Sequence, residues 1–334
     1  MRVLVTGGAG YIGSHTLLQL LQNHHEVIVI DNLSNSKAET FEKIGTLSNR
    51  NFKFIQSDVL DQQALINVFE EFKPQGVIHF AGLKSVAESV AFPLLYYDVN
   101  VVGTLNVLKA MAHIDCNFIV FSSSATVYGT ASKPPYTEEH DTAPVNPYGQ
   151  TKLTAETLIK NWSDASAERK AVSFRYFNPV GAHGSGLLGE DPKEAPNNLM
   201  PILLQVAAGK LDKLSIFGND FPTADGTAIR DYLHVEDLAQ AHVLALEKIS
   251  VLDKFQILNL GTGRGTSVFE LVTLFERENN LQIPFKITSR RDGDAAESWA
   301  DPSLALQVLA WSAKKSLAEM CRDSWHWQIT NHPR

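Results

Sequence analysis

Val3-Leu4-Val5-Thr6-Gly7-Gly8-Ala9-Gly10-Tyr11-Ile12-Gly13 stands at the start of the chain, and its reading decides the fold. The aliphatic run Val3–Val5 reads as a strand. The pattern from Tyr11 to about Gln22 reads as a helix. The glycines between them satisfy both G-x-G-x-x-G and G-x-x-G-x-x-G. Such a turn lets the backbone approach a pyrophosphate closely. The helix that follows offers unpaired N–H groups and the positive end of its dipole. The glycine pattern is a weak signal by itself and gains weight from lying between a strand and a helix.

Working outward, the second strand, Val27–Ile30, ends in Asp31. A carboxylate at that tip can accept hydrogen bonds from adenosine ribose hydroxyls and would repel a 2′-phosphate, so NAD is expected over NADP. The strand–helix alternation then continues. Phe52–Ile55 precedes a helix over Ala64–Phe72, and Val77–Phe80 precedes a long helix over about Leu94–Met111. Phe118–Phe121 precedes a helix over Pro147–Trp162, and Val172–Tyr176 follows. This pattern predicts an α/β protein with a Rossmann-like, doubly wound parallel sheet.

The rhythm breaks near Asn178. From there to about Arg230 the chain is rich in Gly, Pro, Asn and Asp, with one clear helix, about Leu199–Ala208. Its scattered apolar and aromatic residues read as an ordered binding segment. A helix near Glu236–Lys248, a strand near Gln256–Leu260, a helix near Val268–Arg277, a strand near Pro284–Ile287 and two short helices complete the pattern. The expected division is an NAD-binding domain over residues 1–177 and a smaller α/β substrate domain over residues 178–334.

Composition narrows the function. With 334 residues and 44% hydrophobic content there is ample core for two domains. A net charge of −8 argues against nucleic acid as a partner. No apolar stretch approaches the ~18 residues of a membrane span. The two cysteines, Cys116 and Cys321, form no disulfide framework and suit a reducing, cytoplasmic location. The eleven histidines show no H-E-x-x-H and no zinc spacing, so no metal is expected. No G-x-S-x-G elbow is present, so Ser122–Ser124 do not read as hydrolase nucleophiles.

Two further strand ends fit the dinucleotide site. Asp58-Val59 follows the third strand, where a carboxylate can bond the adenine amine. Phe80-Ala81-Gly82-Leu83-Lys84 follows the fourth, with small residues where the backbone passes a cofactor. The fifth ends in Phe121-Ser122-Ser123-Ser124-Ala125-Thr126-Val127-Tyr128-Gly129. Ligands of open parallel sheets gather at this rim. In Asn146-Pro147-Tyr148-Gly149-Gln150-Thr151-Lys152, Tyr148 and Lys152 lie one helical turn apart on one face. An ammonium beside a phenol favours the phenolate, which predicts a Tyr148 pKa drawn down from about 10 and a general base for an alcohol.

Ser124, Tyr148 and Lys152 on an NAD-binding fold resemble the extended short-chain dehydrogenase/reductase family, and within it the UDP-galactose 4-epimerases. The more specific stretches are Arg175-Tyr176-Phe177-Asn178-Pro179-Val180-Gly181-Ala182, Pro196-Asn197-Asn198-Leu199 and Ile216-Phe217-Gly218-Asn219-Asp220. Gly226-Thr227-Ala228-Ile229-Arg230-Asp231-Tyr232 and Arg290-Arg291-Asp292-Gly293-Asp294 add to them. The likeness runs along nearly the whole chain.

The resemblance implies roles. Tyr148 would take the proton of the sugar 4-hydroxyl while NAD takes hydride from carbon 4. Lys152 would lower the Tyr148 pKa and hold the nicotinamide ribose. Ser124 would bond the reacting oxygen. The 4-keto sugar would turn over and take hydride back on its other face. Cofactor binding is implied for Gly7, Gly10, Tyr11, Ile12 and Gly13, and for Asp31, Asn32, Asn35, Asp58 and Val59. It is further implied for Phe80, Ala81, Gly82, Lys84, Asn100, Ser122 and Phe177, together with Tyr148 and Lys152. Substrate binding is implied for Lys84, Ser124, Tyr148, Asn178, Asn198 and Leu199, and for Phe217, Arg230, Tyr232, Arg291, Asp294 and Ser298. Arg can grip a diphosphate bidentately, Phe217 can stack on uracil and Asp294 can take uridine ribose hydroxyls. A homodimer is implied, pairing through the helices near Leu94–Met111 and Pro147–Trp162.

Two positions depart from the pattern. Val99 stands where some bacterial members carry Asn. Ser298 stands where members restricted to UDP-glucose and UDP-galactose tend to carry Tyr. A small residue there leaves room for an acetamido group on carbon 2, so UDP-GlcNAc and UDP-GalNAc are expected substrates too. Two other readings compete. A nucleotide-sugar 4,6-dehydratase would need an Asp-Glu pair where this chain has Ser123-Ser124-Ala125-Thr126. A non-catalytic NAD sensor would have no use for Ser124, Tyr148 and Lys152 together.

Overall fold

A computed structural model describes residues 1–334 except Ala131, Glu194, Ala195, Asn197, Asp292, Pro333 and Arg334. Asn197 and Asp292 of the motifs above therefore lie outside the described residues.

The chain begins β1 (Arg2–Thr6), α1 (Tyr11–Gln22), β2 (Glu26–Asp31), α2 (Glu39–Ser48), β3 (Lys53–Gln56), α3 (Gln62–Phe72) and β4 (Gly76–His79). It continues through α4 (Val86–Ala91), α5 (Pro93–Tyr96), a π-helical turn (Tyr97–Val102) and α6 (Gly103–His113). Next come β5 (Phe118–Ser124), α7 (Pro147–Asp164), β6 (Lys170–Tyr176), β7 (Asn178–Val180), α8 (Leu199–Ala207) and β8 (Leu214–Phe217). After β9 (Ile229–Arg230) and β10 (Tyr232–His234) follow α9 (Val235–Glu247), β11 (Phe255–Leu260), β12 (Thr266–Ser267) and α10 (Val268–Asn279). β13 (Phe285–Thr288), β14 (Glu297–Ser298), α11 (Ser303–Leu309) and α12 (Leu317–Asn331) complete the described elements.

Seven strands form one parallel sheet in the order β11-β6-β5-β4-β1-β2-β3. Strand order reverses between β1 and β4, which places the crevice for a ligand at their carboxyl ends. Side chains alternate across the sheet. Val3, Val5, Val27, Val29 and Ile78 face one core with Leu17, Leu20, Leu238 and Leu246 of α1 and α9. Leu4, Ile28, Ile30, Val77 and Ile119 face the other with Leu65, Phe69, Val107 and Ile159 of α3, α6 and α7. Both faces are covered, which is why these strands read as nearly continuous apolar runs.

The expected division at residue 177 is crossed by the chain. α9 and β11 lie beyond it in sequence yet belong to the large sheet, β11 pairing along β6 from Phe255↔Ala171 to Leu260↔Tyr176. A separate core gathers Val180, Met200, Leu204, Ile216, Tyr232, Leu271, Phe275 and Trp327.

The structure adds α4, β7, β8, β9, β10, β12 and β14 to the expected elements, and three helical regions differ further. α2 was not expected, because its face to the core holds only Phe41, Ile44 and Leu47 around Gly45. The expected helix over Leu94–Met111 is interrupted by the π turn, a feature found often at functional sites. α12 runs for 15 residues and is no short helix; a Ser316–Glu319 capping box starts it.

Candidate active site

The glycine turn is shaped by close approach. Gly7 has φ +71°, and a Cβ there would lie 2.6 Å from the Ala81 nitrogen. A Cβ on Gly13 would lie 2.2 Å from the Gly7 carbonyl oxygen. α1 starts at Gly10 with no side chain capping it and no carboxylate in its first turn. The strand end, the bare turn and the uncapped N-terminus together form a cradle that fits a pyrophosphate.

Asp31 is buried at the end of β2. Its carboxylate accepts from Ala9 N at 2.9 Å, Leu33 N at 2.8 Å and Ser36 Oγ at 3.0 Å. It thus shapes the turn as well as offering its remaining lone pair. Asp58 accepts from Asn32 Nδ2 at 2.7 Å and Leu60 N at 2.8 Å. Val59 packs so closely on Gly103 that a Cβ there would meet Val59 Cγ2 at 2.7 Å. Tyr11 donates to the Gly181 carbonyl at 2.6 Å, joining α1 to the second half of the chain. Asn35 Oδ1 accepts from Lys193 N at 3.0 Å.

Asn100 sits on the π turn and is buried. Its side chain accepts from Leu83 N at 2.8 Å and donates to Leu83 O and Thr151 Oγ1 at 3.1 and 3.0 Å. These bonds make Asn100 a clamp between the Phe80–Lys84 strand end, where a cofactor contact is expected, and α7. Gly82 lies against it, with a Cβ there 3.0 Å from Asn100 Oδ1 and 3.5 Å from Lys152 Nζ. Lys84 pairs with Glu190 at 2.6 Å, and Asn198 Nδ2 reaches the same Glu190 oxygen at 3.5 Å. Phe80 lies 4.8 Å from the His242 ring, and Phe177 is buried beside Tyr136.

α7 begins where its sequence dictates. Asn146 accepts from Gly149 N at 2.9 Å, and Pro147 occupies the first helical position. Tyr148 and Lys152 are thereby fixed on successive turns against β5. Lys152 Nζ donates to Ser122 O at 2.8 Å. Ser124 accepts from Thr126 N and Thr126 Oγ1 at 3.2 and 3.0 Å.

The Tyr148 pKa is not drawn down as expected. Burial pushes the phenol up, and Ser124 is the group that opposes the rise. Lys152 directs its ammonium to a carbonyl, with Nζ 6.0 Å from the Tyr148 ring centre. Burial lowers the Lys152 pKa to about 8, with Glu156 acting in the other direction. Tyr148 is thus a buried phenol whose pKa burial raises, with the Lys152 ammonium one helical turn away on the same face.

Glu156, one turn beyond Lys152, was missed, although its i+4 spacing was visible. It accepts from Ser123 Oγ at 2.6 Å and pairs with Arg175 at 2.8 Å, both partners being buried. Residues 148, 152 and 156 form one stripe on α7, meeting Ser124, Ser122 and Ser123 in turn.

The second half of the chain supplies an exposed set. Phe217 ends β8 half-exposed, with the Arg291 guanidinium 4.8 Å from its ring centre. Asp294 is held by Arg291 at 2.9 Å and faces Arg230 at 3.6 Å. Asn178 N donates to Asp231 O at 2.9 Å, and Leu199 opens α8. Ser298 on β14 is in register with Arg230. Glu297, its neighbour on β14, is in register with Ile229, and both Glu297 and Ser298 are half-buried. Tyr232, on β10, is buried and packs in the C-terminal core beside this set. His234, Glu236 and Asp323 could together suit a cation, but the Lys315 ammonium already lies 3.5 Å from both carboxylates.

The chain matches the family model described as GDP-mannose 4,6 dehydratase over residues 4–324. It is 51% identical over 331 residues to a UDP-glucose 4-epimerase of Bacillus subtilis (strain 168), covering 99% of this chain and 98% of the relative. The chain belongs to the UDP-glucose 4-epimerase family. The crystal structure of a member from Stenotrophomonas maltophila, with bound NAD and formylated UDP-arabinopyranose, superposes with TM-score 0.96 at 47% identity, over 99% of this chain and 98% of that one. A member from Bifidobacterium longum, in complex with NAD+ and UDP, superposes with TM-score 0.95 at 45% identity, over 100% and 99%. The dehydratase model and the epimerase relatives share the superfamily and differ in chemistry. Thr126 and Ala125 stand where a dehydratase would carry its acid–base pair, in accord with the 4-epimerase family.

Proposed function

We propose that the protein is an NAD-dependent UDP-hexose 4-epimerase that interconverts UDP-glucose and UDP-galactose. The observation that carries this is the Ser124–Tyr148–Lys152 set at the sheet's ligand rim, with Tyr148 and Lys152 buried, in a chain similar over its full length to UDP-glucose 4-epimerases. The turn at Gly7–Gly13 would hold the pyrophosphate of NAD, Asp31 and Asp58 its adenosine end, and Lys152 the nicotinamide ribose. Bound NAD supplies reversible hydride acceptance at carbon 4.

Tyr148 Oη takes the proton of the 4-hydroxyl and later returns it. To accept that proton Tyr148 must enter the step as phenolate, a form that the Lys152 ammonium one helical turn away would favour against the burial of the phenol. Ser124 Oγ bonds the reacting oxygen and fixes the phenol's direction. The sugar must turn over between the two proton transfers while UDP stays fixed. Strong contacts therefore belong on UDP, through Asn178, Asn198, Leu199, Phe217, Arg230, Arg291 and Asp294, and weak ones on the ring.

Residues 178–334, apart from the α9–β11 return to the large sheet, form the substrate side. Ser298 gives the space for a 2-acetamido group, so UDP-GlcNAc and UDP-GalNAc are also substrates. Val90, Phe92 and Leu94 are 63%, 60% and 78% exposed beside α7, which supports pairing of two copies through this face. The free, buried Cys116 and Cys321 support a cytoplasmic location. No helix of the described residues is long and apolar enough to cross a membrane.

Purified protein given UDP-galactose should yield UDP-glucose without added reductant. A 4-keto-6-deoxy product would assign it to the dehydratases, and no product would leave it a sensor. Ser298→Tyr should lower turnover of UDP-GlcNAc about 10-fold or more relative to UDP-glucose, the scale of a steric block in a pocket. An unchanged ratio removes Ser298 as the gate.

A further inference from the structure

A polar row runs across three strands beneath α7. Ser123 of β5, Arg175 of β6 and Asn259 of β11 are in register with one another. Arg175 and Asn259 are 3% and 0% exposed. Glu156 accepts from Ser123 and Arg175 at one end of this row. The Arg175 guanidinium lies 4.8 Å from the ring centre of Tyr128, whose hydroxyl donates to Asn259 Oδ1 at 2.7 Å.

Asn259 then turns the row toward the sugar side. Its Nδ2 donates to the Tyr136 carbonyl at 2.9 Å. That carbonyl also accepts from Asp301 N at 2.8 Å, and Tyr136 N donates to Trp299 O at 2.9 Å. Tyr136 thus grips the residues that follow Ser298, pairing with Ala300. The Tyr128 and Tyr136 rings stack 5.0 Å apart, so the two supports move as one. A buried amide with a hydroxyl on its oxygen and a carbonyl on its nitrogen has one orientation only. It acts as a fixed strut, because losing either bond leaves a buried polar group without a partner.

We propose that Asn259 is a positioning residue for epimerisation. Through Tyr128 and Tyr136 it fixes the strand bearing Ser298 relative to the α7 stripe bearing Tyr148, and so sets where the turning sugar meets its proton acceptor. This rests on the epimerase reading. The residues assigned to UDP, among them Phe217 and Arg291, lie outside the row. Displacing the strut should therefore disturb the reacting sugar and leave UDP and NAD in place.

The test compares wild-type protein with Tyr128→Phe, Asn259→Leu and the double variant. Expected is a fall in kcat on UDP-galactose of about tenfold in each single variant, the scale of one broken buried hydrogen bond. The double variant should fall no further than Asn259→Leu alone, because that variant already removes the Tyr128–Asn259 bond together with the bond to the Tyr136 carbonyl. The inhibition constant of UDP and the NAD retained through gel filtration should stay at wild-type values. Additive losses, or UDP and NAD binding that weaken in proportion to kcat, would overturn the proposal, since they signal general loosening. If Asn259→Leu does not fold, Tyr128→Phe decides, as it removes one oxygen and keeps the ring stacking: unchanged kcat overturns the strut. Wild-type turnover is measured first, so an inactive parent overturns the epimerase reading separately from any effect of the variants.

Discussion

The α7 stripe and the Phe217–Arg291 region share one site but are built on opposite terms. Tyr148, Lys152 and Glu156 are buried against a central strand, Lys152 bonded to the Ser122 carbonyl and Glu156 to the Ser123 hydroxyl. Phe217 and Arg291 lie toward the surface, and Asp294 pairs with both Arg291 and Arg230. The contrast follows from the work each region does. A proton transfer needs distances held to a fraction of an ångström, which packing against a parallel sheet supplies. Holding a diphosphate and a base needs charge and an aromatic face that can be reached from solvent. A rigid reactive wall and an open anchoring wall also suit a substrate that must turn at one end while fixed at the other.

The largest test of this contrast is Tyr148→Phe. Removing the proton acceptor should lower kcat about 10²- to 10⁴-fold, the range for a general acid–base group, with little change in substrate affinity. Steady-state kinetics checks it. A loss confined to KM would show that the rigid wall binds and does not react.

Acid should break the rigid side first. His15, His79 and His242 are buried around the sheet, and desolvation holds each near a pKa of about 3. The unfolded chain takes up these protons near pH 6.5, so between the two values it binds more protons than the native protein. Their neutral state therefore favours folding above that window, and stability is lost as pH falls from about 6.5 toward 3. The slope should reach ~4 kcal/mol per pH unit for three histidines together. Chemical denaturation at a series of pH values measures it, and a flat profile over pH 4–6 would refute the buried neutral assignment.

The smallest effect is expected on the open wall. Phe217→Ala should weaken UDP binding about 5- to 50-fold through lost base stacking, with kcat nearly unchanged at saturation. Calorimetry with UDP checks the first part. A fall in kcat without weaker UDP binding would place Phe217 on the reactive side and erase the comparison.

Most of this site was legible as spacing. The glycine turn, Asp31 at a strand tip and the Tyr148–Lys152 turn are local patterns, and local patterns survive without knowledge of the fold. Environment was not legible. The Tyr148–Lys152 spacing suggested a lowered phenol, and burial raises it instead. No local pattern shows that the Asn100 side chain bonds Leu83 and Thr151.

The amino-acid sequence by itself determined the strand–helix alternation, the dinucleotide turn and the reactive pair, because each depends on residues within a few positions of one another. Tertiary structure alone decided that Lys152 faces a carbonyl, that burial raises the Tyr148 phenol, and that Asn259 meets Tyr128 and Tyr136. Those outcomes depend on burial and on partners far away in sequence. A side chain's charge, proton and direction are set by what the fold packs around it.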